Sequence, residues 1–430
     1  MFDLDFLRKQ GDFLDSCLVK RGLLPQSQAI LTFDKERRKH IAECEKLLAE
    51  RNTIAKQSGV AKSSGDEKEF MRLCALQKSM KEDIGALGAK AKEQESEFNA
   101  LLMTIPNILS EDVPTGKDET ENIEVYRWGQ APVFEFQPKE HYELGENMGL
   151  MDFKTAGALS GSRFVVLYGA LAQLHRVLSQ YMLDEHTGKN GFMECWIPVL
   201  VDTHTLEGTG HLPKFAEDLY KTEDGKWLIP TAEAFLTNIP QGEMLTPDDL
   251  PRRFVSASQC FRLEAGAAGR DTRGMMRQHQ FEKVELVSVV TPESSTAELE
   301  FIKECAEGIL RGLDLPFRTM MLCSGDTGFA SQKTYDVEVW LPGNGQYREI
   351  SSCSLCGDFQ ARRAGLRYKP EQEARPEYLH TLNGSGVAVG RCLISVMECY
   401  QCADGSIAIP RVLQKNFNGA TLITAKGELA

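Results

Sequence analysis

Two arginines and a small set of carboxylates and hydroxyls carry the chemistry legible in this chain. Arg262 opens the triplet Arg262-Leu263-Glu264 at the end of an apolar, strand-like run over residues 254–261. Arg391 lies far downstream, after the glycine-rich stretch 383–390, and opens a helix-like segment. A guanidinium keeps its charge and presents a planar fork of donors that suits phosphate oxygens. Two of them, delivered from separate elements onto one sheet, can hold a triphosphate at both ends. Arg262 can bind an α-phosphate oxygen and stabilise charge growing on a pentavalent phosphorus. Arg277 is placed to reach the outer phosphates, Glu264 can accept from the exocyclic amine of adenine, and Phe281 offers a face on which the ring can stack.

A second group surrounds these. Glu349 and Ser352 bring hard oxygens to the end of a strand-like segment, the kind of sparse ligand set that suits Mg²⁺ bridging nucleotide phosphates. In Thr231-Ala232-Glu233 the Glu233 carboxylate can pair with an ammonium. Glu285 can accept from a hydroxyl, and Thr231 and Ser385 can add hydrogen bonds. A small pocket of paired polar groups rejects alanine and glycine, which would leave those groups unpaired. The pattern Gly384-x-Gly386-x-x-x-Gly390, with Asp404 beyond it, looks like a dinucleotide fingerprint, but no βαβ unit surrounds it and NAD is excluded. The glycines are read instead as letting the backbone approach a ligand closely. No P-loop, His-Glu-x-x-His or nucleophile elbow occurs in the sequence.

The elements that must position these residues follow from hydrophobic periodicity. Residues 254–261 and 278–290 read as strands joined by a Gly/Arg-rich loop, 265–277. Residues 333–341 and 346–352 form a second hairpin around Pro342-Gly343-Asn344-Gly345. Leu167, Leu171, Leu174, Leu178 and Tyr181 make a helix stripe, followed by a strand over 192–201 with Pro198 inside it, a sign of an edge or an interface. Residues 1–105 differ: two helical patterns, about 33–58 and about 67–102, flank a turn at 59–66. Their narrow seams, Ile41, Cys44, Leu48, Arg51, Ala55 and then Leu73, Leu76, Met80, Ile84, Leu87, Ala91, Gln94, Phe98, Leu101, predict an antiparallel coiled coil. Residues 106–147, with Pro106, Pro114 and Pro132, read as a linker, and 148–430 as an α+β unit.

Of the 430 residues, 42% are hydrophobic and 26% charged, the balance of a globular protein. The absence of a long apolar run predicts no membrane span, and the acidic start, Met1-Phe2-Asp3-Leu4-Asp5, predicts no signal peptide. The net charge of -13 gives no general attraction to nucleic acid, so binding must be local. Residues 30–101 carry 14 Lys+Arg against 13 Asp+Glu, which leaves the acidity to the rest of the chain. Twelve cysteines without an export signal read as reduced thiols. Cys353/Cys356 and Cys399/Cys402 are too far apart for a ribbon-type site, and no zinc is expected.

These strings, taken together, resemble the three motifs of class II aminoacyl-tRNA synthetases: motif 1 at about 162–201, motif 2 at about 253–290 and motif 3 at about 383–402. The chain resembles most closely the bacterial-type seryl-tRNA synthetases, over nearly its whole length, including the opening residues 3–8 and the helical hairpin. The resemblance implies an α+β fold, with an N-terminal antiparallel helical arm and a catalytic domain built on an antiparallel β-sheet flanked by helices. It implies ATP, with Mg²⁺, as cofactors; ATP contacts at Arg262, Leu263, Glu264, Arg277, Phe281, Glu349, Ile350, Ser351, Ser352 and Arg391; and serine contacts at Thr231, Ala232, Glu233, Arg262, Glu285, Asn383 and Ser385. Arg262 and Arg391 would be the catalytic pair. It implies a cytoplasmic homodimer that charges tRNA(Ser), and tRNA(Sec) as well, with the arm gripping the long variable arm of the tRNA. Arg37, Arg38, Lys46, Arg51 and Lys78 are the candidate contacts. The rivals are another class II ligase, including one that charges a carrier protein, and an inactive tRNA-binding paralogue.

Overall fold

The computed structural model describes every residue except Met1, Asp3, Ala267, Ala268, Arg270, Asp271 and Thr272. Asp3 of the opening string and the middle of the 265–277 loop thus lie outside the described residues. The chain divides into two compact units, Met1–Ile105 and Pro106–Ala430.

In the first unit, two short helices, Leu4–Lys9 and Gly11–Lys20, precede α1 (Ser27–Ser64) and α2 (Glu67–Met103), which pack against each other as a hairpin. The turn is tighter than the sequence suggested. α1 runs on to Ser64, Gly65 takes the left-handed conformation at φ 76°, and the Asp66 carboxylate caps α2 by accepting from Glu69 N at 3.0 Å. The seam keeps its spacing of three and four but departs from the expected positions at two places. Leu76 is exposed while Gln77 beside it is half-buried; Ala55 is exposed while Ile54 is half-buried. Polar residues in the seam are paired with one another: His40 Nδ1 with Gln94 Oε1 at 2.8 Å, and Arg37 with Asp34 and Glu95.

The second unit is built on an eight-stranded sheet among the described residues. Its strands are β1 (Ile123–Trp128), β2 (Met193–Glu194), β3 (Arg252–Phe261), β4 (Gln280–Val290), β5 (Phe317–Met321), β6 (Lys333–Leu341), β7 (Gln346–Gly357) and β8 (His380–Ala388). Their order is β1-β5-β6-β7-β8-β4-β3-β2, with antiparallel neighbours except for the parallel pair β2–β3 at one edge. The expected strand over 192–201 is two short pieces, since Pro198 cannot donate to a ladder. Met193–Glu194 pairs with β3, and Leu200–Val201 pairs elsewhere with Trp227–Leu228. Residues 106–147 are more than a linker: they supply β1 and the helix His141–Asn147.

Strand alternation sorts β4 into two faces. Val284, Leu286 and Val290 enter the main core with α3 (Gly169–Gly188), α4 (Ser295–Gly312) and α6 (Val389–Cys399), including Leu174, Ile302 and Leu393. Phe281, Lys283 and Glu285 point to the opposite face and line a cavity. Further along that face Val287 joins a smaller apolar cluster with Ile229 and Phe254. Each fully buried aliphatic side chain contributes about 1.5–3 kcal/mol, so the helices packed on one face secure the sheet while the other presents polar groups.

Candidate active site

The cavity on that face holds about 340 Å³. Its lining includes Thr231, Glu233, Arg262, Glu264, Arg277, Phe281, Glu285, Glu349, Ile350, Ser352, Asn383, Ser385 and Arg391. Residues spread over more than 150 positions thus meet in one place because β3, β4, β7 and β8 are neighbours in the sheet. Three expected residues do not line it. Ala232 is buried just before the short helix Glu233–Leu236. Leu263 is exposed and engages Asp218 through its backbone. Ser351 turns away: the β6–β7 register slips at Ile350, and the Ser351 hydroxyl donates to Ser385 O at 2.5 Å. That bulge is what brings Glu349, Ile350 and Ser352 to the same wall.

One end of the cavity is cationic. The Arg262 guanidinium lies 5.2 Å from the Phe281 ring centroid, and its Nε donates to Pro230 O at 3.3 Å. Arg277 Nη1 donates to Glu264 Oε2 at 3.2 Å, which leaves the other Glu264 oxygen for a ligand. Glu264 holds this position with φ 51°, a left-handed conformation rare for its type. Arg391, in the first turn of α6, reaches back across β7: its Nη1 donates to Glu349 O at 2.6 Å and lies 3.3 Å from Glu349 Oε2. Partial desolvation inside the cavity pushes the half-open Glu349 carboxyl up, but Arg391 and then Arg262 outweigh it and hold its pKa below the usual value.

The other end is a buried carboxylate pocket. Glu285 sits opposite Ser385 in the β4–β8 register and is almost fully buried. Burial raises its pKa to about 7, against the opposing pull of Lys283, which forms an ion pair with it. The neighbouring Thr231 side chain also favours the ionised form of Glu285. Burial likewise raises the Glu233 carboxyl, offset by a hydrogen bond from Gln360 and by Lys283 and Arg262. Asn383 Nδ2 lies 3.7 Å from the Cys356 thiol.

Lys283 and His211, which line the cavity, and Asp336 and His141, which lie outside its lining, have no role that their place in the sequence suggests. Lys283 lies midway between Phe281 and Glu285 on one strand, so period-two alternation alone could have found it. His211 comes from a loop whose path the sequence does not reveal; burial, Arg262 and Lys283 lower its pKa to about 4 and keep it neutral. Asp336 sits opposite Ser352 on β6. His141 was hidden in the presumed linker: Met275 N donates to its Nε2 at 3.0 Å, while its Nδ1 faces Glu398 Oε1 at 3.0 Å. It thereby ties the base of the 265–277 loop to α6.

Of the glycines before Arg391, Gly390 lines the cavity, whereas Gly384 and Gly386 have a different reason from the one expected. A Cβ at Gly384 would stand 2.4 Å from Ile302 Cγ2, and one at Gly386 would stand 2.4 Å from His186 Nε2. They make room for helices on the core face rather than for a ligand. The cysteines of the two Cys-x-x-Cys pairs are free thiols, and among the described residues no cluster of His, Cys, Asp and Glu has metal-binding geometry. No helix is long and apolar enough to cross a membrane among the described residues.

Residues 1–109 match the family model described as seryl-tRNA synthetase N-terminal domain, and residues 216–400 match that of the tRNA synthetase class II core domain for G, H, P, S and T. The chain is 51% identical over 430 residues to the serine–tRNA ligase of Paracoccus denitrificans, covering 100% of both, and 51% identical over 429 residues to that of Ruegeria pomeroyi, again covering 100% of both. Its fold is similar to the crystal structure of seryl-tRNA synthetase from Pyrococcus horikoshii complexed with ATP, with a TM-score of 0.89, 35% identity and 99% of each chain covered. It is also similar to the cytoplasmic serine–tRNA ligase of Naegleria fowleri in complex with AMP, with a TM-score of 0.85, 27% identity and 99% of each chain covered. With a class II sheet, a helical arm and likeness along its entire length, the chain belongs to the seryl-tRNA synthetases, the class II serine–tRNA ligases.

Proposed function

We propose that the cavity condenses L-serine with ATP to seryl-adenylate, and that the chain then passes the seryl group to the 3′-hydroxyl of tRNA(Ser) and of tRNA(Sec). The observation that carries this reading is the polarity of one cavity, with arginines at one end and buried carboxylates at the other. At the carboxylate end Glu233 takes the serine ammonium, while Glu285, Thr231 and Ser385 satisfy the hydroxyl. At the arginine end Arg262 neutralises the α-phosphate, Arg391 and Arg277 hold the outer phosphates, and adenine lies on Phe281 with its amine donating to Glu264. A serine carboxylate oxygen attacks the α-phosphorus, a new O–P bond forms, and the bond to pyrophosphate breaks. The nucleophile is already an anion, so no general base is required. The rate comes from alignment and from fixed positive charge aimed where negative charge grows.

Glu349 and Ser352 would hold Mg²⁺, with Asp336 beside them. The set fits, because hard oxygens converge there and Asp336 Oδ1 is buried without a hydrogen-bond partner among the described residues. When bound, Mg²⁺ neutralises phosphate charge and orients the leaving pyrophosphate.

In the arm, Arg38, Lys46 and Lys78 are exposed where they can meet phosphates, and Arg51 is half-buried. Arg37 is buried with its guanidinium engaged by Asp34 and Glu95, so it supports the arm rather than the tRNA. A homodimer through the β2 edge is supported by Trp196, 93% exposed, with Met193 and Leu200 exposed nearby. The test of the whole reading is amino-acid-dependent ATP–pyrophosphate exchange with all twenty amino acids and no tRNA. Serine alone should support exchange; exchange with another amino acid would overturn the roles given to Glu233 and Glu285.

A further inference from the structure

Gln360 lies outside all three motifs and does not line the cavity, yet its side chain is fully buried against one that does. It sits on α5 (Phe359–Ala364), which packs on the helix Thr203–Thr209 and on β8. Its Nε2 donates to Glu233 Oε1 at 2.6 Å and to Thr209 O at 3.2 Å. Its Oε1 accepts from the Thr381 hydroxyl at 2.6 Å. Both amide hydrogens and the amide oxygen are therefore engaged.

The direction of this chain of bonds is set by chemistry. A backbone carbonyl only accepts, so Thr209 O requires the NH₂ side of the amide on its flank. The second hydrogen of that NH₂ then points at Glu233, and Glu233 must accept. A protonated Glu233 oxygen there would put two hydrogens face to face. Thr381, on the far side, is free to donate and locks the opposite end. We propose that Gln360, aimed by Thr209 and Thr381, is a positioning residue that fixes the Glu233 carboxylate in its ionised form and in the orientation that receives the amino group of the substrate. It rests on the reading of Glu233 as the ammonium site. Burial raises the Glu233 pKa above its ordinary value, and the bond from Gln360 is the largest influence pulling it back toward the ionised form.

The placement also explains why the donor is an amide. A lysine or arginine in its place would neutralise Glu233 and compete with the substrate ammonium for it. A neutral donor holds the carboxylate and leaves its charge for the ligand.

The test uses serine- and ATP-dependent pyrophosphate exchange by the full chain, from pH 6 to pH 9, for Gln360→Met, Thr381→Val and Glu233→Gln. Gln360→Met keeps length and burial but removes both donors, and a lost bond to a charged acceptor corresponds to a rise of roughly 10- to 100-fold in the KM for serine. The KM for ATP should stay within about twofold, since the phosphate end is untouched. The acid limb of kcat/KM for serine should move to higher pH, because Glu233 without its donor keeps a proton longer as the pH rises. Thr381→Val should show the same pH displacement with a smaller rise in KM, and it carries the test if Gln360→Met does not fold. An unchanged serine KM and pH profile in folded Gln360→Met, or in Thr381→Val where the former does not fold, beside a strongly impaired Glu233→Gln overturns the role of Gln360 alone. An unchanged serine KM in Glu233→Gln as well overturns the ammonium site itself.

Discussion

The two ends of the cavity solve opposite problems with the same residue type. Glu349 at the arginine end is held below its ordinary pKa by Arg391 and Arg262, whereas Glu285 at the far end is raised by burial to about 7. One carboxylate is surrounded by permanent charge and half open to solvent; the other is enclosed, with Lys283, Thr231 and a second carboxylate, Glu233, around it. On the proposed assignment, charge serves the ligand common to many enzymes, a nucleotide, and enclosure serves the ligand that must be told apart from close relatives. A small amino acid offers few atoms to recognise, so its pocket must make every unsatisfied polar group costly.

The sharpest way to break this comparison is at its cationic end. Arg262→Ala should lower the exchange rate by about 10³-fold, mainly in kcat, because the missing charge faces the transition state; a change confined to KM would remove Arg262 from the chemistry. Glu285→Gln tests the enclosed end. It should raise the KM for serine by roughly 10²-fold with little effect on ATP. In the parent protein kcat/KM for serine should climb as the pH rises through about 7, since the ionised form of Glu285 is the acceptor and its pKa is raised to about 7. That climb should flatten in the variant, and a parent profile flat between pH 6 and pH 8 would count against the assignment.

His141→Ala sharpens the comparison from outside the cavity. It leaves Met275 N–H buried without its acceptor, at a cost of about 2 kcal/mol, readable as a lower thermal midpoint. The KM for ATP should rise more than that for serine, because Met275 and Met276 line the cavity and lead directly into Arg277. The smallest effect is expected in the arm. Lys78→Glu should leave exchange unchanged and weaken tRNA charging roughly 3- to 10-fold, more so at low salt, as a phosphate contact would; equal loss in both assays would contradict a separate role for the arm.

Much of this was legible in the sequence because strands announce themselves locally. The alternation in 280–290 assigns Phe281 and Glu285 to one face by spacing alone, and the two arginines mark the ends of the two strands that flank β4. What escaped was the product of tertiary arrangement. The slip at Ile350 that turns Ser351 away from the cavity is one unpaired residue in a ladder, without a composition signal. Gln360 and His141 act through partners far along the chain, Thr209, Thr381, Met275 and Glu398, and a lone Gln or His among polar neighbours carries no period. In the arm, the apolar seam was visible, but Arg37 stood among the candidate tRNA contacts because sequence spacing does not show Asp34 and Glu95 engaging it. Gly384 and Gly386 were legible as necessary, though for the wrong neighbour.

The bond between His141 and Met275 also bears on how such a chain can be cut and rejoined. A fragment begun at Met148 would contain every cavity residue, yet it would lack the imidazole that accepts from Met275 and the Trp128 ring stacked 5.8 Å from Phe317. The seam for grafting a different RNA-binding appendage is therefore at Pro106, where the compact unit begins. Fusions made there keep the latch on the motif 2 loop, whereas fusions made about forty residues later would inherit the pocket without the part that holds it in shape.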